Sequence, residues 1–338
     1  MRSFKYTEPI VLLLSLMMGL FGCQERPPPT EVRVGTNPYL GDLATYVALE
    51  QGYFSDQGLQ IDLVKQPSGV KALTLLFQQE VDIAHVADLP IAYIALNPTK
   101  YTNTSPPPIY IFADLIYSTH LQGILTRTDH GITSPADLPG KRIGMDMNTS
   151  LEYMFDTFLL ENNLTREEME LVDLNVNRSA DSLLAGSIDA MASWQPYLYE
   201  TEKQLGQKAL RMDPVLNYRI AWLATTTQAF AERNPEVLIR YLEALQSANQ
   251  YIKRHPDSAM GTLAHHTGVD TSVIRGIWNI VDYQLSLSEP LISTLEDQAR
   301  WILRNDGQVP HDSIPDFTKF IYFNAMESVH PEGITIIR

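Results

Sequence analysis

Short apolar stretches and amphipathic stretches alternate along the first part of the chain, from about residue 32 to residue 113. Stretches with consecutive or alternating apolar side chains predict strands, and these cover residues 32–36, 59–64, 81–84 and 110–113. Apolar residues spaced three and four apart predict helices between them, one ending before Gly52 and one beginning after Ser68, a typical N-cap. The alternation predicts strand–helix–strand units on a mostly parallel sheet.

A second series with the same alternation follows Ser134 and Pro135. Its predicted strands cover residues 142–145, 171–176 and 188–191, and its predicted helices cover 149–162, 179–185 and a segment beginning at Pro196. From about residue 227 to residue 327 the pattern is almost entirely helical, most clearly at 235–254 and 291–304. Two series of strand–helix units predict two lobes of the α/β fold class.

The two series share a short repeated pattern. Each contains the end of a helix, a tight turn and a short strand. An aspartate occupies the equivalent position in both, Asp82 in the first series and Asp189 in the second. The loops at residues 87–89 and 193–195 are therefore expected at equivalent places in the two lobes. Ligands bind beyond the carboxyl ends of the strands in open α/β sheets, so we expect these loops to face each other across a cleft.

Charge and cysteine content exclude several classes of function. The 338 residues include 25 lysines and arginines against 40 acidic residues, which gives a net charge of −15. A nucleic-acid-binding protein needs a clustered positive field, and electrostatic adhesion to anionic lipid needs the same, so we expect neither partner. A single cysteine, Cys23, excludes a disulfide framework and any metal site built from cysteines.

The first residues are typical of a secretory signal. Arg2 and Lys5 precede an apolar stretch that is too short to span a bilayer, which takes about 20 apolar residues. The sequence Leu-Phe-Gly-Cys that ends at Cys23 resembles the bacterial lipobox, whose cysteine receives a lipid. We predict a signal peptide at 1–22, and a lipidated N-terminus with a proline-stiffened tether at 23–30. The alternative is a plain signal with an incidental cysteine.

Several motifs in a fixed order resemble the solute-binding proteins of the nitrate/sulfonate/taurine and thiamine-precursor group. They are Val32-Arg-Val-Gly-Thr, Ala48-Leu-Glu-Gln-Gly-Tyr-Phe, Gly58-Leu-Gln-Ile-Asp, Ala136-Asp-Leu-Pro-Gly-Lys-Arg-Ile-Gly, and Gly186-Ser-Ile-Asp-Ala with Trp194-Gln-Pro. The resemblance implies a periplasmic-binding-protein fold of type II. It also implies a monomer in the periplasm or cell envelope, membrane-bound only through its lipid anchor, that delivers a small solute to the ABC permease of the inner membrane.

The same resemblance implies how the chain divides. Lobe 1 is expected to comprise residues 31–118 and 226–338, and lobe 2 residues 119–225, with two crossings between the lobes. The C-terminal helices are expected to pack on lobe 1. The lobes are expected to close on the solute about a hinge, because only the closed form contacts it from both sides.

Candidate solute contacts lie on loops that follow strands and at predicted helix starts. Residues 148–150 precede a predicted helix, whose backbone N–H groups and dipole favour an anion. Glu152 either binds an amine or only caps that helix, and Trp194 either stacks on the solute or belongs to the core. Simple helix capping is also the alternative for Asp88. The candidates are Asn37, Tyr39, Ser68, Gly69, Asp88, Tyr117, Asn148, Thr149, Ser150, Glu152, Trp194 and Gln195.

These residue types indicate the class of solute. Hydroxyl and N–H donors suit a sulfonate, whereas acidic and aromatic side chains suit an amino-bearing or heteroaromatic molecule. No arginine or lysine falls on the predicted cleft loops, which counts against a small bare anion such as nitrate. We therefore expect a small organic solute, an aminosulfonate or an aminopyrimidine-like molecule.

No motif of a catalytic, cofactor or metal site is present. The sequence contains no GxSxG, P-loop or GxGxxG pattern. His265 and His266 are adjacent, so they point in different directions on a helix, and no carboxylate precedes them at helical spacing. We predict no enzyme activity, cofactor or metal. Two alternatives stay open: a ligand-sensing protein coupled to a membrane signalling partner, and a pyrimidine-synthesis enzyme of the same fold. The second is disfavoured because such enzymes carry a cysteine-rich motif.

Overall fold

The computed structural model describes residues 28–147, 149–213, 219–307 and 313–337. The predicted signal peptide, Cys23 and Asn148 lie outside the described residues. Within those described ranges, no helix is both long enough and apolar enough to cross a membrane.

Lobe 1 is built on a six-stranded sheet. Its strands are β1 (Thr30–Thr36), β2 (Leu59–Lys65), β3 (Ile83–Ala87), β4 (Ile109–Tyr117), β10 (Trp222–Thr227) and β11 (Asp282–Ser286). They lie in the order β11-β4-β10-β3-β1-β2. β1 is parallel to β2 and β3, whereas β10 is antiparallel to β3 and β4.

Lobe 2 is built on a five-stranded sheet of similar design. Its strands are β5 (Gln122–Arg127), β6 (Arg142–Met145), β7 (Glu170–Asp173), β8 (Ala190–Trp194) and β9 (Ala209–Met212). They lie in the order β7-β6-β8-β5-β9. β6 is parallel to β7 and β8, whereas β5 is antiparallel to β8 and β9.

Most strands of each sheet run in one direction, as expected, but both sheets are mixed because β5, β10 and β11 run in the opposite direction. β5 and β10 each enter their sheet from the other lobe, at the end where the parallel strands finish, and they therefore run in the opposite direction. β10 pairs with lobe 1 over its whole length. The return crossing therefore precedes Trp222, which corrects the expected boundary of lobe 2 at residue 225.

Helices cover both sheets. Those of lobe 1 are α1 (Leu43–Glu50), α2 (Tyr53–Asp56), α3 (Gly69–Phe77), α4 (Asp88–Leu96), α8 (Gln228–Arg233), α9 (Pro235–Arg254), α10 (Pro256–Thr267), α11 (Thr271–Ile277), α12 (Glu289–Asn305) and α13 (Phe323–Val329). Those of lobe 2 are α5 (Ser150–Glu161), α6 (Val176–Ala185) and α7 (Tyr197–Leu205). Short 3₁₀ helices occupy Leu40–Asp42, Thr128–His130, Pro135–Asp137, Arg166–Glu168, Gly206–Lys208, Trp278–Ile280, Phe317–Phe320 and Pro331–Gly333.

The C-terminal segment belongs to lobe 1. Buried residues of α9 and α12, among them Tyr241 and Leu295, share one hydrophobic core with β1 and β3, and the core of lobe 2 is separate. The long predicted helices at 235–254 and 291–304 are confirmed by α9 and α12. The segment is not all helical, however, because β11 adds an edge strand beside β4.

The repeated pattern around the two aspartates corresponds to a repeated contact. In lobe 1, Asp82 accepts hydrogen bonds from the backbone and guanidinium of Arg33, at 2.9 and 2.8 Å. In lobe 2, Asp189 accepts the same pair of bonds from Arg142, at 3.0 and 3.1 Å. Each pair joins the first parallel strand of its lobe to the residue just before β3 or β8. The two lobes therefore share one local design.

Candidate solute-binding site

A cavity of about 130 Å³ lies between the two lobes. Its lining comes from loops that follow β1, β2, β3 and β8, from the crossings, and from the starts of α3 and α5. The lining residues are Asn37, Tyr39, Pro67, Ser68, Gly69, Val70, Val86, Ala87, Pro90, Gln122, Thr149, Ser150, Trp194, Ile220 and Trp222. Both lobes contribute, so only their closed arrangement forms this cavity.

Two helix N-termini from opposite lobes reach the cavity. Ser68 precedes α3 and accepts a hydrogen bond from Lys71 N at 3.4 Å, and Thr149 precedes α5 and accepts one from Leu151 N at 3.3 Å. Both hydroxyls therefore cap a helix and also line the cavity. The first N–H groups of a helix and its dipole attract anions and acceptor oxygens. The N-termini of α3 and α5 therefore present partial positive charge to the cavity.

Gly69 allows α3 to begin close to β3. A Cβ atom at this position would lie 2.9 Å from Val86 Cα and 3.0 Å from His85 O, closer than real Cβ contacts. The glycine thus brings the N-terminus of α3 against the strand whose end also lines the cavity.

Ser150 is positioned by a second residue of the cavity lining that also belongs to lobe 2. Gln122 donates from Nε2 to Ser150 Oγ at 2.6 Å. The side-chain oxygens of Gln122 (Oε1) and Asn37 (Oδ1) are buried and have no hydrogen-bond partner among the described residues. The lining therefore contains acceptor oxygens as well as helix N–H donors.

Aromatic rings form the apolar part of the cavity. Tyr39 and Trp222 meet at a centroid distance of 4.9 Å and an interplanar angle of 54°, and Trp194 lines the cavity from lobe 2. Burial raises the pKa of the Tyr39 phenol, and the nearby charges of Asp88 and Asp42 raise it further. Tyr39 is therefore neutral, and its ring lies beside the indole of Trp222 in the cavity lining.

A buried polar network holds Trp222 in place. Asp42 is fully buried and accepts from Trp222 Nε1 at 2.7 Å and from Asn37 N at 3.2 Å. The same carboxylate lies 2.6 Å from His85 Nδ1, and His85 Nε2 lies 3.1 Å from the Tyr241 hydroxyl. Asp42 and His85 are not among the cavity-lining residues. The network therefore fixes the Trp222 indole from behind the cavity lining.

Four candidate residues are absent from the cavity lining and make other contacts. Asp88 accepts from Leu89 N at 2.8 Å and from Ala221 N at 3.2 Å, which links α4 to the start of β10. Glu152 pairs with Arg166 at 3.2 Å. Gln195 accepts from the N–H of Tyr199 at 3.1 Å and is buried, while Tyr117 is 41% exposed and packs its ring against the guanidinium of Arg219.

The lining carries no formal charge. None of the lining residues of this cavity, within the described part of the chain, is an aspartate, glutamate, lysine or arginine. Seven candidates do lie there: Asn37, Tyr39, Ser68, Gly69, Thr149, Ser150 and Trp194. The expected acidic contacts are replaced by uncharged groups, because Asp88 binds backbone N–H groups and Glu152 pairs with Arg166.

Sequence reasoning missed Trp222 and Gln122. Both lie next to a crossing between lobes, where Tyr117 was a candidate and these two residues were not. The sequence did contain a signal for them. Trp222 and Gln122 lie at the two points where the chain crosses between the lobes, and residues there are close to both lobes.

Comparison with known proteins assigns the chain to a family. The family described as NMT1/THI5 like matches residues 42–259. The chain belongs to this family of solute-binding proteins. This finding confirms the predicted resemblance.

Relatives and solved structures agree with the assignment. A formylaminopyrimidine-binding protein from Halalkalibacterium halodurans is 25% identical over 285 residues, covering 78% of this chain and 79% of the relative. The taurine-binding periplasmic protein of Escherichia coli is 23% identical over 279 residues, covering 76% and 81%. The periplasmic aliphatic sulphonate binding protein SsuA from Escherichia coli superposes with a TM-score of 0.74 at 17% identity, covering 89% of this chain and 99% of that chain. The predicted type II periplasmic-binding-protein fold is thereby confirmed.

The same fold also occurs in an enzyme. The desulfurization enzyme DSZB superposes with a TM-score of 0.65 at 16% identity, covering 90% of this chain and 99% of the enzyme. The fold is therefore compatible with catalysis as well as with binding, and the chemistry of the cavity must distinguish the two.

Proposed function

We propose that the protein is the extracytoplasmic, lipid-anchored solute-binding component of an ABC importer. It binds a small organic solute between its lobes and presents the closed form to the permease. The observation that supports this most strongly is the uncharged cavity, in which helix N-termini from opposite lobes and three aromatic rings converge. A cavity with these groups holds a polar head and an apolar or planar body together, and it contains no paired acid and base.

The proposed solute is an aminosulfonate or an aminopyrimidine. A sulfonate accepts hydrogen bonds from the helix starts at Gly69 and Ser150, and an amino group donates to the buried oxygens of Asn37 and Gln122. A pyrimidine ring stacks between Trp194 and Trp222. The relatives named for taurine and for formylaminopyrimidine support both classes. The absence of a formal positive charge from the lining argues against a bare inorganic anion.

The experiment that tests this proposal is a thermal-shift screen followed by calorimetry on residues 27–338. The panel comprises taurine, alkanesulfonates without an amino group, aminopyrimidines, nitrate and aromatic acids. A solute at about a hundred times its dissociation constant adds roughly 2.7 kcal/mol to the free energy of unfolding, so a true ligand gives a clear shift. Stabilisation by nitrate alone would contradict the proposal.

Two further measurements separate the alternatives. Chromatographic analysis of the bound solute after prolonged incubation tests for turnover, because a binding protein returns the solute unchanged and an enzyme does not. Solute uptake by membrane vesicles that contain the permease tests the importer role, because a sensor binds the solute without supporting its transport.

The proposed anchor rests on Cys23 alone. We expect the full chain to fractionate with membranes and its Cys23→Ala variant to be released, since the sequence contains no other cysteine to accept a lipid. Mass spectrometry of the mature N-terminus provides the direct measurement. A Cys23→Ala variant that stays on the membrane because its signal peptide is uncleaved would show only failed processing. The membrane-bound fraction of the variant is therefore compared with that of a form that starts at residue 27.

A further inference from the structure

Helices α1 and α10 of lobe 1 bring one carboxylate and two imidazoles together away from the cavity. Glu50 Oε1 lies 2.9 Å from His265 Nδ1 and 3.1 Å from His266 Nε2. The three atoms all lie within 4.8 Å of one another. We call these residues the Glu50 cluster. None of the three lines the solute cavity.

The cluster changes the interpretation of the two adjacent histidines. The expectation of no metal site considered only carboxylates at helical spacing along the same helix. Glu50 is 215 positions away from His265 in the chain, and the packing of α1 against α10 brings it to both rings. Its carboxylate thereby supplies the third group that the histidine pair lacked.

We propose that the Glu50 cluster binds a divalent transition-metal ion of the Zn²⁺ type, with water in the remaining position. Imidazole nitrogens and a carboxylate oxygen are ordinary zinc ligands, at about 2.0–2.2 Å from the metal. Tetrahedral bonds of that length place ligand atoms roughly 3.3 Å apart. The two separations from Glu50 Oε1, 2.9 and 3.1 Å, therefore need to open by only a few tenths of an ångström, and the two histidine nitrogens, which lie within 4.8 Å of each other, come together on the ion.

Neighbouring residues already orient two of the three ligands. Thr262 donates from Oγ1 to the other oxygen of Glu50 at 2.6 Å, which leaves Oε1 directed at the histidines. The ring of His266 stacks on Tyr46 at a centroid distance of 4.2 Å and an angle of 8°. Such outer contacts typically raise metal affinity, and their loss costs about 10- to 100-fold.

The local electrostatics also favour a cation. Glu50 is the last residue of α1, and both histidines lie in the last turn of α10, where helix dipoles place partial negative charge.

Lys65 is the positive group that faces the cluster. Its ammonium donates to the backbone oxygen of His266 at 3.4 Å and lies over the ring of Tyr46. The side chain is exposed and long, so it can move away when a metal ion binds. Removing the charge of Lys65 is then expected to strengthen metal binding. This is an independent test, because replacing a ligand of the cluster is expected to weaken metal binding.

The experiment uses untagged protein stripped with a chelator and titrated with ZnCl₂ by calorimetry. We expect one Zn²⁺ per chain for the wild type, with affinity at least tenfold lower for His265→Gln and Glu50→Gln. His265 has 76% of its side chain exposed, so its replacement leaves the fold intact. His255→Gln removes one exposed histidine outside the cluster and serves as the matched control, with unchanged affinity. Lys65→Met is expected to bind more tightly.

A second readout distinguishes a specific site from surface binding. Co²⁺ in tetrahedral coordination by the cluster gives intense visible absorption, which should disappear in His265→Gln and persist in His255→Gln. Zinc binding that is the same in the wild type, Glu50→Gln and His265→Gln would overturn the proposal, as would the absence of stoichiometric binding in the wild type. Solute binding is measured on the same variants and should not change, so failure here is separate from failure of the proposed function.

Discussion

The indole N–H of Trp301 donates to Asp156 Oδ2 at 2.7 Å, and this hydrogen bond joins α12 of lobe 1 to α5 of lobe 2. The ring of Trp301 also meets Tyr153 of α5 edge-on at 5.8 Å, and the guanidinium of Arg166 lies 6.0 Å from its centre. These contacts cross the cleft outside the cavity lining. These contacts therefore stabilise this arrangement of the lobes, and their contribution adds to that of a bound solute.

Trp301→Phe is expected to weaken solute binding without touching the cavity. Phenylalanine keeps most of the ring but removes the N–H that bonds to Asp156. A hydrogen bond to a charged group contributes about 1.5–3 kcal/mol, and apparent affinity falls with the population of the closed form. We expect a dissociation constant about 10- to 100-fold higher, measured by calorimetry with the ligand found in the screen.

The matched control is Trp278→Phe, because Trp278 lies on lobe 1 and packs against Tyr283 of the same lobe. X-ray scattering without solute should show a larger radius of gyration for Trp301→Phe than for this control. Equal affinities in the two variants would mean that the Asp156 hydrogen bond makes no contribution to closure.

Trp194→Ala is expected to remove most of the binding affinity and leave the fold intact. The indole lines the cavity from lobe 2, and burial of an aromatic ring contributes about 1.5–3 kcal/mol. We expect affinity about 10- to 100-fold lower by calorimetry, with the thermal midpoint of solute-free protein within a few degrees of the wild type. Trp278→Ala serves as a control outside the cavity. Wild-type affinity in Trp194→Ala would exclude stacking on this ring.

Gly69→Ala tests the close approach of α3 to β3. The added Cβ would lie 2.9 Å from Val86 Cα, so the helix start must shift, at a cost of about 1–3 kcal/mol. Gly261→Ala is the matched control, since no atom lies within 4 Å of its Cβ position inside α10 and alanine favours a helix. Urea denaturation should show a less stable Gly69→Ala and an unchanged or more stable Gly261→Ala. Equal stabilities would refute the contact.

The alternation of apolar and amphipathic stretches was sufficient to predict β1 to β4 and β6 to β8 with the helices between them, but it did not predict β5, β9, β10 or β11. The paired motifs around Asp82 and Asp189 predicted their equivalence, and the repeated Arg-x-Gly at Arg33 and Arg142 was a further signal that was not used. Strand direction at β5 and β10 was not predictable from local pattern. It depends on which lobe the chain has just left, and periodicity does not encode that.

The site was predicted only where a residue follows a strand or begins a helix. Ser68, Thr149 and Trp194 satisfy that rule and line the cavity. Asp88 and Gln195 satisfy it too, but each accepts from a nearby backbone N–H group, and Asp88 also accepts from Ala221 N, 133 positions away. Trp222 lines the cavity because Asp42 fixes its indole, a contact between residues 180 positions apart that no local pattern reveals.

Asp189→Asn is expected to destabilise the protein in a way that depends on pH. Burial opposes ionisation of Asp189, yet hydrogen bonds from Arg142 and His130 outweigh it and hold its pKa well below the usual range. The folded state therefore favours the carboxylate. Its stabilising effect is complete above the unfolded pKa of about 3.9 and is lost as the pH falls below it.

We expect Asp189→Asn to be less stable than the wild type by about 1–2 kcal/mol at pH 7, with the difference shrinking below a pH of about 4. Urea denaturation at several pH values measures it, with Asp181→Asn, an exposed position on α6, as the control. A difference that stays constant from neutral to acidic pH would show that the ionic contact with Arg142 does not contribute to stability.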